Sequence, residues 1–329
     1  MSQLNDLETL WRPSASFEQL KKRACLLSQV RHFFEQKGVM EVETPILGAC
    51  GVTDLHLCNF STQLAGPAAP EGKTLYLQTS PEFHMKRLLA AGSGPIYQIC
   101  KSFRNEEAGR LHNPEFTMLE WYRPGFNHIQ LMGEMDQLLQ LLLGCGKADR
   151  LSYQQAFLQC LGVDPLTASP EELVGAGTPF DVCDLLKRET NRDTQLQLLF
   201  ALGVEPQIGQ TTPCFIDGFP ASQASLSRIS ATDPRVSERF EVYFKGVELA
   251  NGFHELSDSV EQRRRFEQDN QARLNEGLSE MTLDEGLLAA LKAGLPDCSG
   301  VALGLDRVFM LAFAEDNIAS VISFAHERA

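Results

Sequence analysis

Apolar residues recur at helical spacing from Phe17 to Phe34. Ser16 precedes this run and has a hydroxyl that can cap a helix, while Gly38 follows it and can end one. The periodicity is typical of an α-helix with one apolar face. The sequence therefore predicts a helix here, followed by a short strand over residues 39–44.

A strand over residues 75–78 is predicted to lead into a second helix. The helix start is marked by Ser80, Pro81 and Glu82. Serine is a good N-cap, proline is tolerated at the first helical position, and a carboxylate is favourable near a helix N-terminus. This helix should continue to about Ala91.

The next segments predict a long hairpin and then a helical insertion. Residues 96–106 and 115–123 have strand character on either side of a polar loop. Residues 129–205 are rich in Leu and Gln at helical spacing, and they predict a helical insertion without chemistry. Strands return over residues 212–219 and 240–251.

The last third of the sequence predicts charged helix over residues 256–292 and then a strand, 301–305, that leads into a helix near Asp306. Strands that pair locally, with helices between them, indicate an α+β fold with an antiparallel sheet flanked by helices. No linker interrupts the pattern, so we expect residues 1–329 to form a single domain.

Charge limits the kinds of partner. The chain has 29 Lys and Arg against 43 Asp and Glu, for a net charge of −14. A surface of this sign repels a phosphate backbone and disfavours non-specific nucleic-acid binding. Residues 78–125 differ, with six basic and five acidic side chains. An anion-binding site is therefore expected in that stretch.

Cysteine usage and the absence of targeting signals predict a cytoplasmic protein. The nine cysteines include no C-x-x-C pair and are expected to be reduced thiols. The N-terminal residues have neither a basic start nor an apolar run, and the chain lacks an 18-residue apolar segment. A soluble cytoplasmic protein is the expectation.

The hairpin has the richest chemistry. Strand alternation would place Arg104 and Glu106 on one face, and Phe116, Glu120 and Tyr122 on one face of the second strand. Arginine can bind phosphate through two hydrogen bonds, an aromatic ring can stack on a base, and carboxylates can bind an amine or a metal. A solvated sheet face with internal ion pairs remains an alternative.

A second cluster lies between Glu248 and Glu255. Its carboxylates and the amide of Asn251 have the chemistry of a magnesium or ammonium site. Strict alternation separates the two acids onto opposite faces, so a bulge at Asn251-Gly252 would be needed to bring them together. The alternative is an edge strand that ends in an Asn-Gly turn.

A third cluster covers residues 299–307. A strand with Gly300 and Gly304 enters a helix that begins near Arg307. This pattern lets backbone approach a ligand and places a positive charge where a phosphate would bind. Ordinary turn geometry explains such glycines equally well.

Taken in order, these clusters resemble the catalytic domain of class II lysyl-tRNA synthetases, over roughly residues 15–325. Residues 38–45, which end in ETP, resemble motif 1, whose proline lies at a dimer interface. FRNE with HNPEFTMLEWY resembles motif 2, ELANGFHEL resembles the strand typical of the lysine group, and GLDR resembles motif 3.

The resemblance implies a class II aminoacyl-tRNA-synthetase fold and a ligase that uses ATP and Mg²⁺ to form an aminoacyl adenylate. It gives Arg104 and Arg307 catalytic roles on the phosphates, with no general base. For ATP it implies Arg104, Asn105, Glu106, His112, Asn113, Phe116, Glu248, Leu249, Gly304 and Arg307. For the amino acid it implies Ser80, Pro81, Glu82, Glu120, Tyr122, Asn251, Phe253, Glu255 and Ala302. For magnesium it implies Glu248 and Glu255.

Two departures narrow the resemblance. Only about fifteen residues precede the motif 1 helix, too few for an N-terminal anticodon-binding domain, and Ala302 stands where motif 3 normally has glycine. Together they resemble a small paralogue family, the elongation factor P–lysine ligases. That family implies transfer of (R)-β-lysine to a lysine ε-amine of elongation factor P, a homodimer and no stable tRNA binding.

Two other functions remain open. A truncated lysyl-tRNA synthetase would charge tRNA, and a regulatory paralogue would bind its ligands without reacting. The second is disfavoured because all the charged residues of the three clusters are present. A positive rim at the mouth of the site is expected from Lys86, Arg87, Arg110 and Arg123.

Overall fold

The protein is described by a computed structural model that covers residues 11–67 and 69–329, and these residues divide into two compact units. The first unit contains the described residues up to Pro124, together with Ser257–Asp297 and Ala302–Ala329. The second contains Gly125–Leu256 and Cys298–Val301.

The described residues form α-helices and β-strands in the following chain order: α1 (Phe17–Gln36), β1 (Met40–Glu41), β2 (Leu47–Gly48), β3 (Ser61–Gly66), β4 (Ala69–Leu77), α2 (Glu82–Ala90), β5 (Ile96–Phe103), β6 (Glu115–Pro124), α3 (His128–Leu143), β7 (Asp149–Ser152), α4 (Tyr153–Leu161), α5 (Pro170–Ala176), α6 (Cys183–Arg188), α7 (Arg192–Leu199), β8 (Cys214–Asp217), β9 (Arg239–Phe244), β10 (Val247–His254), α8 (Ser259–Asn275), α9 (Glu285–Gly294), β11 (Cys298–Gly304) and α10 (Leu305–Ala312).

Helix α1 confirms the first prediction. Ser16 caps it by accepting a hydrogen bond from the Gln19 N–H at 3.2 Å, and Gly38 follows it with a φ of +65°. The buried face belongs to the C-terminal half of the helix, whereas Phe17 is 74% exposed. The strand predicted over residues 39–44 is shorter than expected, because only β1 pairs, in parallel, with β5.

Helix α2 begins one residue later than predicted. Pro81 flanks the helix instead of starting it, and the Ser80 hydroxyl accepts a 3.5 Å hydrogen bond from the Glu82 N–H. The preceding strand is β4, which is longer than the predicted 75–78 and forms a three-stranded sheet with β2 and β3. The positions of the strand and helix are confirmed, and their bounds differ.

The β5–β6 hairpin confirms the central prediction but ends earlier on its first strand. Antiparallel pairing runs without interruption from Ile96–Tyr122 to Phe103–Glu115. Arg104 and Glu106 therefore lie in the loop, and the prediction that they share a strand face is wrong. The reason is a change of partner: the Arg104 N–H still donates to the Pro114 carbonyl at 3.0 Å, but the Asn105 N–H donates to the Cys58 carbonyl at 2.9 Å.

The second unit contains a four-stranded array. Strands β7 and β8 pair in parallel, and β8, β9 and β10 pair antiparallel in that order. The predicted single strand over 240–251 is wrong, because it is two strands joined by a two-residue turn. Lys245 and Gly246 form that turn with φ values of +51° and +70°, which suit a tight hairpin.

Residues 129–205 are mainly helical, as predicted, and include α3 to α7 together with the short strand β7. Helices α4 to α7 pack on one apolar core that contains Tyr153, Phe157, Leu196 and Phe200. The rings of Tyr153 and Phe200 stack with their centroids 5.3 Å apart. The periodicity of this segment therefore reflects burial in a common core.

The α+β class is confirmed. The sheet is largely antiparallel but mixed, because β1 pairs with β5, and β7 with β8, in parallel. The charged segment 256–292 forms two helices, α8 and α9, and the strand leading into a helix near Asp306 is found as β11 and α10. All nine cysteines are free. Among residues 11–67 and 69–329 no helix is long and apolar enough to cross a membrane.

Candidate active site

Strand β6 presents the predicted carboxylate and phenol on one face. Its residues pair one for one with β5, so alternate side chains share a face. The Tyr122 hydroxyl donates to Glu120 Oε1 at 2.6 Å, and both side chains are buried. A buried carboxylate on a sheet face is suited to binding a cationic amine.

The loop after β5 brings Arg104, Glu107 and His112 together. Arg104 Nη1 lies 3.6 Å from Glu107 Oε1, and His112 Nε2 lies 3.9 Å from Glu107 Oε2. The Arg104 guanidinium also lies over the Phe116 ring, 5.2 Å from its centroid. One face of the ring predicted to stack on adenine is thus already in contact with the arginine.

Arg307 joins this loop from the first turn of α10. Its Nη2 donates to His112 Nε2 at 2.6 Å, and its Nε donates to the Leu111 carbonyl at 3.3 Å. Burial and the neighbouring Arg307 lower the pKa of His112, so the neutral ring can accept this bond. Arg104, Glu107, His112 and Arg307 therefore form one continuous chain of contacts, which we call the arginine–histidine cluster.

Asp306 fixes the position of this cluster. Its carboxylate is 1% exposed, pairs with Arg23 Nη1 at 2.6 Å and accepts the Thr117 N–H at 2.7 Å. The start of α10, helix α1 and strand β6 are therefore held together beside Arg307. Neither Asp306 nor Glu107 was predicted to have a role, although both are adjacent to residues that were.

Three other residues predicted to contact ATP are not members of the arginine–histidine cluster: Asn105, Glu106 and Asn113. Glu106 is exposed, with a φ of +69°. Asn105 accepts the Glu106 N–H at 3.0 Å. The Asn113 amide donates to the Glu115 carbonyl at 2.6 Å and accepts the His326 N–H at 3.0 Å. Asn113 therefore anchors the C-terminal segment.

Glu82, the predicted ligand of the substrate amino group, already has a cationic partner. Its Oε1 lies 2.7 Å from Lys86 Nζ, and Lys86 is 1% exposed. The predicted place of Lys86 on an exposed positive rim is therefore wrong, because its ammonium is buried against this carboxylate. Arg87 and Arg110 are exposed, and Arg123 is half-buried.

Strand β10 contains a bulge, but not where it was predicted. Pairing with β9 shifts at Leu249, between Glu248 and Ala250, whereas Asn251 and Gly252 pair regularly with β9. Glu248, Asn251 and Phe253 are half-buried, and the side chains between them are buried. The extra residue thus brings Glu248 onto the face of Asn251, which strict alternation would not allow.

Gly252 is required for close packing and not for a turn. A Cβ atom at this position would lie 2.4 Å from the Phe240 ring and 2.9 Å from Val301 Cβ. The alternative of an Asn-Gly turn at the end of an edge strand is therefore wrong. Residues 251 and 252 lie inside a paired strand.

Arg239 organises the polar face of β10 and was missed by the sequence analysis. Its Nε donates to Asn251 Oδ1 at 3.3 Å, and its guanidinium also bonds to Glu241, which accepts the Tyr243 hydroxyl. Burial, Glu241 and Glu248 raise the pKa of Tyr243 far above its usual range. The cross-strand pairing of Arg239 with Phe253 could have been found only with the correct register.

Glu255 and Leu249 are the most buried of the β10 candidates, at 1% and 2% exposed. The Glu255 N–H donates to the Cys298 carbonyl at 3.0 Å, and its own carbonyl accepts Arg228 Nε at 2.9 Å. On β11, Ala302 and Gly304 are half-buried and alternate with buried neighbours. Carboxylate oxygens such as those of Glu248 and Glu255 are the donors that Mg²⁺ prefers, so these residues fit that ion.

The α+β fold and the two clustered arginines are compatible with a synthetase-type ligase. The family described as class II tRNA synthetases (D, K and N) matches residues 9–328. The chain belongs to this family, which implies the use of ATP. The arginine–histidine cluster contains two guanidinium groups, a type of group that can bind phosphate through paired hydrogen bonds.

Comparison with curated proteins narrows the similarity. The chain is 60% identical over 314 residues to the elongation factor P–(R)-β-lysine ligase of Photobacterium profundum, covering 95% of this chain and 97% of the relative. It is 59% identical over 319 residues to the ligase of that name from Vibrio cholerae, covering 97% and 98%. It is 59% identical over 329 residues to that of Proteus mirabilis, covering both chains fully.

Proposed function

We propose that this protein activates (R)-β-lysine with ATP and transfers it to a lysine ε-amine of elongation factor P. The observation that carries the proposal is the arginine–histidine cluster, found in a chain whose relatives are named for this reaction. The two guanidinium groups of the cluster, linked through Glu107 and His112, can bind and neutralise phosphate oxygens.

Activation joins the substrate carboxylate to the α-phosphorus of ATP, and pyrophosphate leaves. The carboxylate is already ionised, so no general base is needed. Arg104 and Arg307 would neutralise the charge that develops on the phosphates, and His112 would orient Arg307 through their 2.6 Å contact. Catalysis would then come from positioning and electrostatic stabilisation.

The amino acid would be bound by carboxylates. Glu82, which is already paired with Lys86, would share its charge with the substrate amine, and Glu120 with Tyr122 would bind the other ammonium group. Ala302 replaces the glycine of motif 3, and its methyl group would narrow the pocket near the α-amine. A pocket changed there would favour a β-amino acid over α-lysine. Steric contact between the methyl group and α-lysine would weaken the binding of α-lysine by about 1–3 kcal/mol.

Magnesium would be bound by the carboxylates of Glu248 and Glu255, because Mg²⁺ prefers oxygen ligands. When bound, the ion supplies charge neutralisation for the phosphates of ATP. The β10 bulge at Leu249 supports this assignment of Glu248, because it turns that side chain to the face of Asn251.

A homodimer is proposed from an exposed apolar segment. Met40, Ile46 and Leu47 are 51%, 40% and 44% exposed and flank Pro45 of motif 1. Apolar patches of this kind are typical of protein interfaces.

Nine free cysteines are consistent with a cytoplasmic protein.

Elongation factor P is favoured over tRNA as acceptor. The net charge of −14 opposes stable tRNA binding, and the relatives' name specifies the protein acceptor. The exposed guanidinium groups of Arg87 and Arg110 offer local positive charge for docking.

ATP–pyrophosphate exchange tests the activation step. Purified protein should catalyse exchange with (R)-β-lysine in the absence of any acceptor, and less efficiently with α-lysine. Complete absence of exchange with every lysine isomer would support the non-catalytic paralogue instead.

A further inference from the structure

A cluster of two histidines and one glutamate lies in the second unit, on strand positions that the proposed function does not use. Glu238 precedes β9, and His254 ends β10 directly opposite, with the His254 N–H donating to the Glu238 carbonyl at 2.9 Å. His128 is the first residue of α3, which Asn127 caps. The residue before β9, the last residue of β10 and the first residue of α3 thus contribute one side chain each.

The donor atoms are close enough to share an ion. His254 Nδ1 lies 2.5 Å from Glu238 Oε2, His128 Nδ1 lies 3.9 Å from the same oxygen, and one donor atom from each of the three residues lies within 4.8 Å of the other two. Ligands on a tetrahedral Zn²⁺, bound at about 2.0–2.2 Å, are about 3.5 Å apart. Shifts of about 1 Å would therefore convert the present arrangement into a coordination shell.

Hydrogen bonding within the cluster does not account for the position of His128 Nδ1. It is buried and has no hydrogen-bond partner among the described residues, since 3.9 Å to Glu238 is too long for one. A simple His254–Glu238 pair would not require a second imidazole beside it. The two rings lie 6.3 Å apart between centroids, which leaves room for a ligand between them.

Access and charge also suit a cation. The side chains of His128, Glu238 and His254 are 16%, 22% and 11% exposed, so the cluster is sheltered but reachable from solvent. Asp217 also acts on His128 as a negative charge, and its carboxylate pairs with Arg150. With neutral histidines, the local charge is negative.

We propose that His128, Glu238 and His254 form a binding site for a divalent transition-metal ion, with Zn²⁺ as the best match. Two imidazoles and one carboxylate select zinc or cobalt over magnesium, which prefers oxygen ligands. Water would complete the shell. By sharing these ligands, the ion would connect the start of α3 to the β9–β10 hairpin, next to Glu255.

Cobalt titration of the metal-stripped protein tests the site without any assay of activity. One Co²⁺ per chain should produce the visible absorption of a four-coordinate ion, and Zn²⁺ should displace it. His128→Gln should weaken binding about 100-fold or more, because even outer-shell partners of a metal ligand are worth 10–100-fold. Zn²⁺ should also raise the melting temperature of the wild-type protein and not that of His128→Gln.

A control variant and a second ligand variant distinguish binding at this site from binding elsewhere on the protein. His56 is exposed, so His56→Gln should bind Co²⁺ like the wild type. Glu238→Gln should lose binding as His128→Gln does, with circular dichroism confirming that both variants fold. Absence of the absorption band in wild-type protein, or equal binding by wild type and His128→Gln, would overturn the proposal.

Discussion

Strands β6 and β10 each contain acidic and aromatic positions, but they pair with their neighbours differently. On β6 every residue from Glu115 to Tyr122 pairs with one residue of β5, and alternation places Glu120 and Tyr122 together. On β10 the extra residue Leu249 changes the faces after Glu248. Alternation therefore predicts a shared face only where the partner strand matches residue for residue.

The largest expected effect concerns what holds β6 in register. Asp306 is buried, pairs with Arg23 and accepts the Thr117 N–H. Asp306→Ala leaves the Arg23 charge and this N–H without their partner, and should lower the free energy of unfolding by about 3–5 kcal/mol. Urea denaturation measures this loss.

Asp316→Ala is the control for this prediction, because that side chain is exposed, and it should change the free energy of unfolding by less than about 0.5 kcal/mol. If Asp306→Ala costs no more than the control, Asp306 does not fix β6.

The second prediction concerns the loop that follows β5. Arg104→Ala removes a guanidinium that we propose acts on the phosphates in the transition state. ATP–pyrophosphate exchange should fall by about 10²–10³, as for loss of one preorganised donor. Arg104→Lys keeps the charge but loses the planar pair of donors, so it should be intermediate. Exposed Arg188 provides the control Arg188→Ala, and equal rates for Arg104→Ala and this control would remove Arg104 from the mechanism.

The third prediction tests whether the β10 bulge places Glu248 at a metal ion. Glu248→Gln removes a charged oxygen ligand, whose contribution to the free energy of Mg²⁺ binding should be about 1.5–3 kcal/mol. The Mg²⁺ concentration for half-maximal exchange should rise by about 10- to 150-fold. Glu171→Gln, at an exposed helix start, should leave it unchanged. An unaltered magnesium requirement in Glu248→Gln would argue that this face of β10 has another role.

Local patterns in the sequence predicted much of the fold. The Ser16 cap, the β5–β6 hairpin and the strand leading into α10 depend on neighbours in the chain, and all were found. The resemblance to motif 2 also selected Arg104 and His112, which the structure places in contact with the same glutamate.

Features that depend on distant partners could not be predicted. Asp306 is important because Arg23 and Thr117 meet it, and Arg239 because it lies opposite Phe253. The bulge at Leu249 has no glycine or proline to mark it, whereas the glycine at 252 suggested a bulge and instead permits packing against Phe240. Lys86 was expected at the surface because its i, i+4 spacing from Glu82 on α2 gives no sign that the lysine itself is buried.

The most direct test of the proposed function compares two acceptors. Purified protein with ATP, Mg²⁺ and (R)-β-lysine would be given either elongation factor P or bulk tRNA, with Arg104→Ala as the blank. Intact-mass spectrometry should show one β-lysyl group added to elongation factor P by the wild-type protein alone, and tRNA should remain uncharged. Efficient charging of tRNA, with no mass increase on elongation factor P, would contradict the account and identify a tRNA synthetase.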